Sequence, residues 1–431
     1  MKCHQCGLES EVEQAFTRSG GLSGTRHYCP TCAEKQHRNE VLLYFVAFPV
    51  LSGALYWAKP GAFLSNFFAS ISIMFFISVP LIVLHEMAHA GMARLVRFRV
   101  FGVTIGMGRP FFKTEFAGFP WHFAPFPLGG VTFVGSPPAP FYRLKLWLII
   151  LAGPLLHFVL LAAAYRWLMF NNWRAWFDPL AYQAVLFFAL ANLVILVSNL
   201  FPRRINTAAG VTGTDGWHLL RLPFMKADEI QTRHVGYYVS AAMAAFEKND
   251  LQAARDFIQQ GLALRPDYPL ALNVLGVIQV HSLDYAAARQ LFLDLLARDD
   301  LEAPVKFAVM NNVAYCNVLL RDASLLPEAD ALSQTAYQQL PWHPASAGTR
   351  GLVLAHLGQV DEGLAMLKKS MNDHHEAHSK SINACHIAML EAERGNLAEA
   401  RAFVDAARKL DPGCVLLPEA ERSLTGRAAA V

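Results

Sequence analysis

Residues Leu64–His89 read LSNFFASISIMFFISVPLIVLHEMAH. From Leu64 to Leu84 no side chain is charged, and a helix needs about 20 mainly apolar residues to cross the hydrocarbon core of a bilayer. The run then ends in His85-Glu86-Met87-Ala88-His89, which puts three ionisable groups at the end of an uncharged span, a costly placement without partners. On a helix the two imidazoles, four residues apart, share one face with a spacing suited to a single Zn2+. Glu86 projects about 100 degrees from His85, within reach of a water held by that metal. The plainer alternative is an interfacial His/Glu cluster with no metal.

Composition agrees with a bilayer. Hydrophobic residues make up 54% and charged residues 16%, against roughly 25% charged in an average soluble domain, and the mean hydropathy is positive. The formal net charge of +3, with Lys and Arg scattered, gives no basic stripe, so no nucleic-acid partner is expected. At 431 residues more than one domain is expected. Composition divides the chain at 1–38, 39–225 and 226–431. The middle block offers four candidate spans: Val41 to Ala58, which is marginal in length, Ala62 to Leu84 running on through the HEMAH sequence, Leu144 to Phe170, and Leu180 to Phe201.

Positive residues mark the cytoplasmic side of short loops. Lys35, Arg38, Arg94, Arg97, Arg99, Arg109, Lys113, Arg143, Arg203 and Arg204 fall on one side, against little more than Lys59, Arg166 and Arg174 on the other. Both termini are therefore expected in the cytoplasm, and the polar first 40 residues carry no signal peptide. The same arrangement brings the end of the HEMAH helix and the segment after Pro202 to one membrane face. A catalytic zinc takes three protein ligands and keeps one position open. Asp215, in Thr214-Asp215-Gly216-Trp217, is the best candidate for the third, although an Asp-Gly pair read alone is more often an exposed turn.

Cys3-x-x-Cys6 and Cys29-x-x-Cys32, with 22 residues between them, have the spacing of a zinc ribbon, in which four thiolates close a structural site. A redox pair is the alternative. Cys316, Cys385 and Cys414 are isolated, and this is no secreted disulfide framework. In the last block Ala254, Ala288, Ala329 and Ala400 align, with Pro266, Pro341 and Pro412 each twelve residues after its Ala. This pattern resembles the tetratricopeptide repeat, whose period is 34 residues. Units start near Val235, Pro269, Met310, Pro344 and Ser381; the third needs a short insertion and the fourth has Gly363 where alanine is expected. Stacked helix pairs of this kind form an α-solenoid suited to holding a protein partner.

HEMAH, Pro127-Leu128-Gly129-Gly130-Val131 in the loop that follows, Ala152-Gly153-Pro154, and Asn199-Leu200-Phe201-Pro202 before Asp215-Gly216 together resemble the site-2 protease family of intramembrane zinc metalloproteases. The resemblance covers about 160 residues from Ala62 to Phe224, with the motifs in the family's order. It implies a mainly α membrane core, a catalytic zinc on His85, His89 and Asp215, Glu86 as general base, and Gly129, Gly130, His157 and Asn199 near the substrate, a membrane-anchored protein. Where the family commonly has Asn, this chain has His157, which either donates a hydrogen bond to a substrate carbonyl or satisfies a polar pocket. The link from Pro202 to Asp215 is longer than usual, and Thr214 replaces an apolar residue. One catalytic and one structural Zn2+ are expected. The competing readings are a non-proteolytic membrane scaffold that binds partners through its repeats and, less favoured, a zinc transporter.

Overall fold

A computed structural model describes residues 1–12, 16–21, 24–33, 35, 46–59, 63–107, 110, 112–124, 126–172, 179–207, 210–373 and 376–425. It divides into two compact units, Cys3–Cys6 with Gln14–Tyr237, and Met1–Lys2 and Gly7–Glu13 with Tyr238–Val431.

The first unit opens with a hairpin, β1 (Thr17–Gly21) and β2 (Gly24–Tyr28), paired antiparallel from Thr17↔Tyr28 to Gly21↔Gly24. Helix α1 (Phe48–Ala58) is apolar but 11 residues long. Of the expected first span residues 46–58 are described, and residues 41–45 lie outside the described residues. Among the described residues three helices are long and apolar enough to cross a membrane: α2 (Phe63–Leu95), α3 (Tyr142–Phe170) and α4 (Pro179–Leu200). The 33 residues of α2 make a rod about 50 Å long at 1.5 Å per residue.

In the second half of α2 the buried positions are Leu81, Ile82, His85, Glu86, His89, Ala90 and Ala93, while Leu84 and Met87 are exposed. That three-and-four spacing is one helical stripe, so the HEMAH groups share the face that carries the core. The stripe packs on Ile149 and Leu146 of α3 and on Ala191 and Ile195 of α4. After α2 the chain reverses through Arg97, which takes a positive φ of 67° while Phe98 N–H bonds back to Ala93 O at 2.7 Å.

The segment read from sequence as a loop is instead a four-stranded sheet. It consists of β3 (Arg99–Met107), β4 (Phe112–Phe116), β5 (Phe119–Phe123) and β6 (Phe126–Gly135), in the order β4-β5-β3-β6. Strand β3 pairs parallel with β5 and antiparallel with β6, with Ile105 opposite Gly130 and Val103 opposite Thr132. Buried Val103, Ile105, Phe119 and Trp121 join the same core as the helices. The Gly129-Gly130 motif thus lies on an edge strand, not in a loop. The long link before Asp215 is accounted for by a second hairpin, β7 (Arg204–Thr207) and β8 (Gly210–Gly213), followed by the short helix α5 (Asp215–Arg221).

The other unit is a stack of helix pairs. They are α6 (Ala227–Phe246, beginning in the first unit) with α7 (Leu251–Leu264), α8 (Pro269–His281) with α9 (Tyr285–Leu296), α10 (Ala303–Leu319) with α11 (Leu326–Gln339), α12 (Pro344–His356) with α13 (Val360–Asp373), and α14 (Ala377–Glu393) with α15 (Leu397–Leu410). A final helix, α16 (Leu417–Thr425), follows. Ala254, Ala288, Ala329 and Ala400 are fully buried. The fourth pair has Gly363 at this place because α12 and α13 approach so closely that a Cβ there would lie 2.5 Å from Gly351 O. The insertion in the third pair is a 3-10 turn, Ala323–Leu325. The stack curls until Asn249, in the turn after α6, donates to Gly413 O at 3.0 Å in the turn after α15.

Candidate metal centre

Pro202 ends α4, and Thr214 ties the returning chain to that end. Its hydroxyl donates to Phe201 O at 2.8 Å and accepts from Arg203 N–H at 3.2 Å and from Trp217 N–H at 3.4 Å as the N-cap of α5. Next to Asp215, a Cβ on Gly216 would sit 1.9 Å from Leu200 O, so only glycine lets α5 lie this close to α4. The polar Thr214, a departure from the family pattern, is therefore a cap.

These contacts bring Asp215 to the HEMAH face. Asp215 Oδ2 lies 3.1 Å from His85 Nε2 and 3.5 Å from His89 Nε2, and the two imidazole nitrogens are 3.0 Å apart. His89 Nδ1 is 2.7 Å from Ile149 O; it must donate there, which leaves the Nε2 lone pair facing the cluster. Ile149 lies on α3 one turn ahead of Gly153-Pro154. Gly153 leaves the space in front: a Cβ there would meet His89 Nε2 at 2.5 Å and His85 Nε2 at 2.7 Å. Burial pushes the Asp215 carboxyl up, but hydrogen bonds from His85 and His89 outweigh it and hold it well below the usual carboxylate range.

Three ligand atoms within 4.8 Å of one another, one carboxylate and two imidazoles with one tautomer fixed, fit a transition-metal ion such as zinc.

Glu86, buried beside this set, is held by Thr132 on β6, whose hydroxyl donates to Glu86 Oε2 at 2.6 Å. Gly130 makes room for it, since a Cβ there would lie 2.5 Å from Glu86 Cγ. Gly129 has open space where a Cβ would project.

His157, one turn beyond Gly153, is fully buried and stacks on His85 with ring centroids 5.1 Å apart. Its Nδ1 lies 2.8 Å from Asn192 Oδ1, and the Asn192 amide is oriented by donating from Nδ2 to Phe188 O at 2.8 Å. His157 Nδ1 is thus the donor, and Nε2 is a buried lone pair with no hydrogen-bond partner among the described residues. Asn199 is not drawn into this group; its amide donates to Ile195 O on its own helix at 2.9 Å.

Thr132 and Asn192 are absent from the sequence-derived set. Asn192 carried a signal, an amide midway along an apolar span, where an unpaired polar group is expensive. Thr132 carried none until the glycine motif became a strand, which puts residues 130 and 132 on one face.

Cys3, Cys6, Cys29 and Cys32 form a second group whose sulfurs all lie within 4.8 Å of one another, as four-thiolate coordination of zinc requires. Cys29 N–H donates to Cys3 Sγ at 3.3 Å. Burial raises the Cys3 thiol, but backbone N–H groups of Cys29, Cys6 and Gln5 bring it down to about 6. Such N–H groups steady a metal-bound sulfur.

With this geometry in view, comparison with known proteins places the chain. The family model described as Peptidase family M50, the family of the site-2 proteases, matches residues 71–314, more than half of the chain. No curated protein matches it. Among solved structures, a thermophilic TPR protein of Thermus thermophilus is 22% identical, covering 44% of this chain and 99% of its own, with a TM-score of 0.36. Pseudomonas aeruginosa pilF is 17% identical over 42% of this chain and 77% of its own, TM-score 0.30. The TPR2AB domain of yeast Sti1 is 12% identical over 44% and 97%, TM-score 0.21. The chain, with its His-His-Asp set at the end of a membrane-length helix, belongs to peptidase family M50, a family of membrane-embedded, zinc-dependent metallopeptidases.

Proposed function

We propose that this chain is an intramembrane zinc metalloprotease that cleaves a membrane-anchored protein in or near a transmembrane segment. The observation that carries the reading is the convergence of His85, His89 and Asp215 with Glu86 buried beside them. His85, His89 and Asp215 hold the catalytic zinc, and Cys3, Cys6, Cys29 and Cys32 hold a structural one.

When bound, zinc supplies Lewis acidity, activating water and polarising a peptide carbonyl. Glu86, aimed by Thr132, takes the proton from that water and returns one to the leaving nitrogen. His157, fixed by Asn192, presents Nε2 to the same space as a hydrogen-bonding group for substrate. A helical substrate hides its carbonyls in its own hydrogen bonds and must unwind to be cut. Strand β6 ends the sheet order, so its outer edge, with Gly129 and Gly130 beside Glu86, is placed to receive an unwound segment as an added strand. Asn199 has less support in this role, being bonded to its own helix.

The Lys and Arg distribution supports cytoplasmic termini, with 1–38 as a ribbon, 39–225 as the protease and 226–431 as repeats that hold a substrate tail or regulator. The test is cleavage of a membrane-anchored model substrate by purified protein. Native protein with zinc cuts it, Glu86→Gln binds zinc and does not, and equal cleavage by the two would sink the reading.

A further inference from the structure

Two cysteines that the metal sites do not use lie together in the last helix pair. Cys385 is on α14, and Cys414 is in the turn between α15 and α16; both are buried, with their sulfurs 4.0 Å apart. Cys414 N–H bonds to Asp411 O at 3.2 Å, and Leu417 N–H bonds to Cys414 O at 3.0 Å, so the turn holds Cys414 just ahead of α16. The Cys385 thiol and the Leu416 N–H both point to Cys414 sulfur. We propose that Cys385 and Cys414 are a modification site, a dithiol that forms a reversible disulfide by exchange with a low-molecular-weight disulfide.

The donated hydrogen bond from Cys385 holds the Cys414 thiol below its ordinary range despite burial, which makes Cys414 the attacking sulfur. Access comes by opening α16, a nine-residue helix at the end of the described chain that is anchored inward by Leu417 and Ala420. Cys414 gives up its proton and attacks one sulfur of the oxidant, whose S–S bond breaks and releases one thiolate. Cys385, deprotonated in turn, attacks the Cys414 sulfur and expels the second thiolate. Two protein thiols become one disulfide, and the oxidant is reduced to two small thiols that take up the two protons. In a reducing compartment the pair rests as thiols.

The bond would fix the root of α16 to α14. Glu419 and Arg422 of α16 line a cavity of about 590 Å3 whose other walls carry Tyr285, His356 and His386, and Glu419 pairs with Arg321 in the turn after α10. Oxidation therefore determines how readily α16 lifts from that cavity.

The test uses the reduced full-length protein in detergent, incubated with oxidised glutathione, then alkylated in denaturant and digested without reductant. Mass spectrometry should find the Cys385–Cys414 linked peptide, and amide exchange over 417–425 should slow at least tenfold in the oxidised protein but not in oxidant-treated Cys385→Ser. Recovery of both cysteines alkylated, or Cys414 linked as abundantly to Cys316, would overturn the proposal. A linked peptide with unchanged exchange over 417–425 would overturn the control of α16.

Discussion

Gly216 lies against the end of α4 with Leu200 O 1.9 Å from where a Cβ would be. Because neither partner in that contact is a flexible side chain, Gly216→Ala must push α5 away from α4, carrying Asp215 with it. The expected outcome is a protein that keeps its helices and loses zinc from the His-His-Asp site while retaining zinc on the four cysteines. Metal analysis checks it: native protein should hold two zinc ions and Gly216→Ala one. An unchanged metal content would show that α5 tolerates the shift.

Thr132 is expected to act on the rate without acting on the metal. Its hydroxyl contacts Glu86 Oε2 and no metal-facing nitrogen. Loss of a hydrogen bond to a charged group is worth about 1.5–3 kcal/mol, so Thr132→Val should lower kcat about 10- to 100-fold. Thr132→Ser should recover most of it. Zinc content and KM should stay near native; if KM alone changes, Thr132 serves the substrate instead.

What the sequence revealed and what it hid follow from how local each cause is. HEMAH at the end of an uncharged run is written in neighbouring residues, as are Pro269 and Pro344, the first residues of α8 and α12. The sheet was hidden because residues 99–135 hold short aromatic strands broken by glycine and proline, and their pairing joins positions far apart, such as Val103 with Trp121. Gly363 broke the alanine pattern for a reason visible only in its neighbour, Gly351 on another helix. His157 was noticed as a departure, but its tautomer depends on Asn192, 35 residues away.

The boundary between protease and repeats predicts how truncations behave. His234 stacks edge-on with Tyr142 at 4.4 Å, Tyr237 lies 5.8 Å from Phe101, and Arg143 donates to Met225 O at 2.6 Å. The first half of α6 is thus part of the membrane unit. A chain ending after Phe246 should keep catalytic zinc and cut a bare transmembrane segment at the native rate, while cutting a substrate with its cytosolic tail more slowly. A chain ending after Ala227 loses the stacked rings and should lose thermal stability, read as a lower melting temperature in detergent. Equal cleavage of tailed substrate by full-length protein and the Phe246 truncation would rule out docking on the repeats.

Acid should loosen the repeats. Burial lowers His281 to about 4 and His386 to about 3, below the 6.5 of a free imidazole, and it lowers His343 and His356 as well. His281 Nδ1 donates to Val277 O at 2.9 Å, and Tyr315 Oη meets His386 Nε2 at 2.9 Å, contacts that a neutral ring satisfies. Between pH 6.5 and about 4 the unfolded chain therefore binds protons that the folded repeats do not, and stability must rise with pH across that window. The stabilisation is complete above pH 6.5 and is lost as pH falls. At pH 5 each of His281 and His386 should have cost the fold about 2 kcal/mol relative to pH 7. Denaturant unfolding followed by far-UV circular dichroism at pH 7 and pH 5 measures the sum, and His386→Gln, neutral at both values, should shrink the difference by about 2 kcal/mol. A repeat unit equally stable at the two pH values would mean that these rings are protonated in the fold.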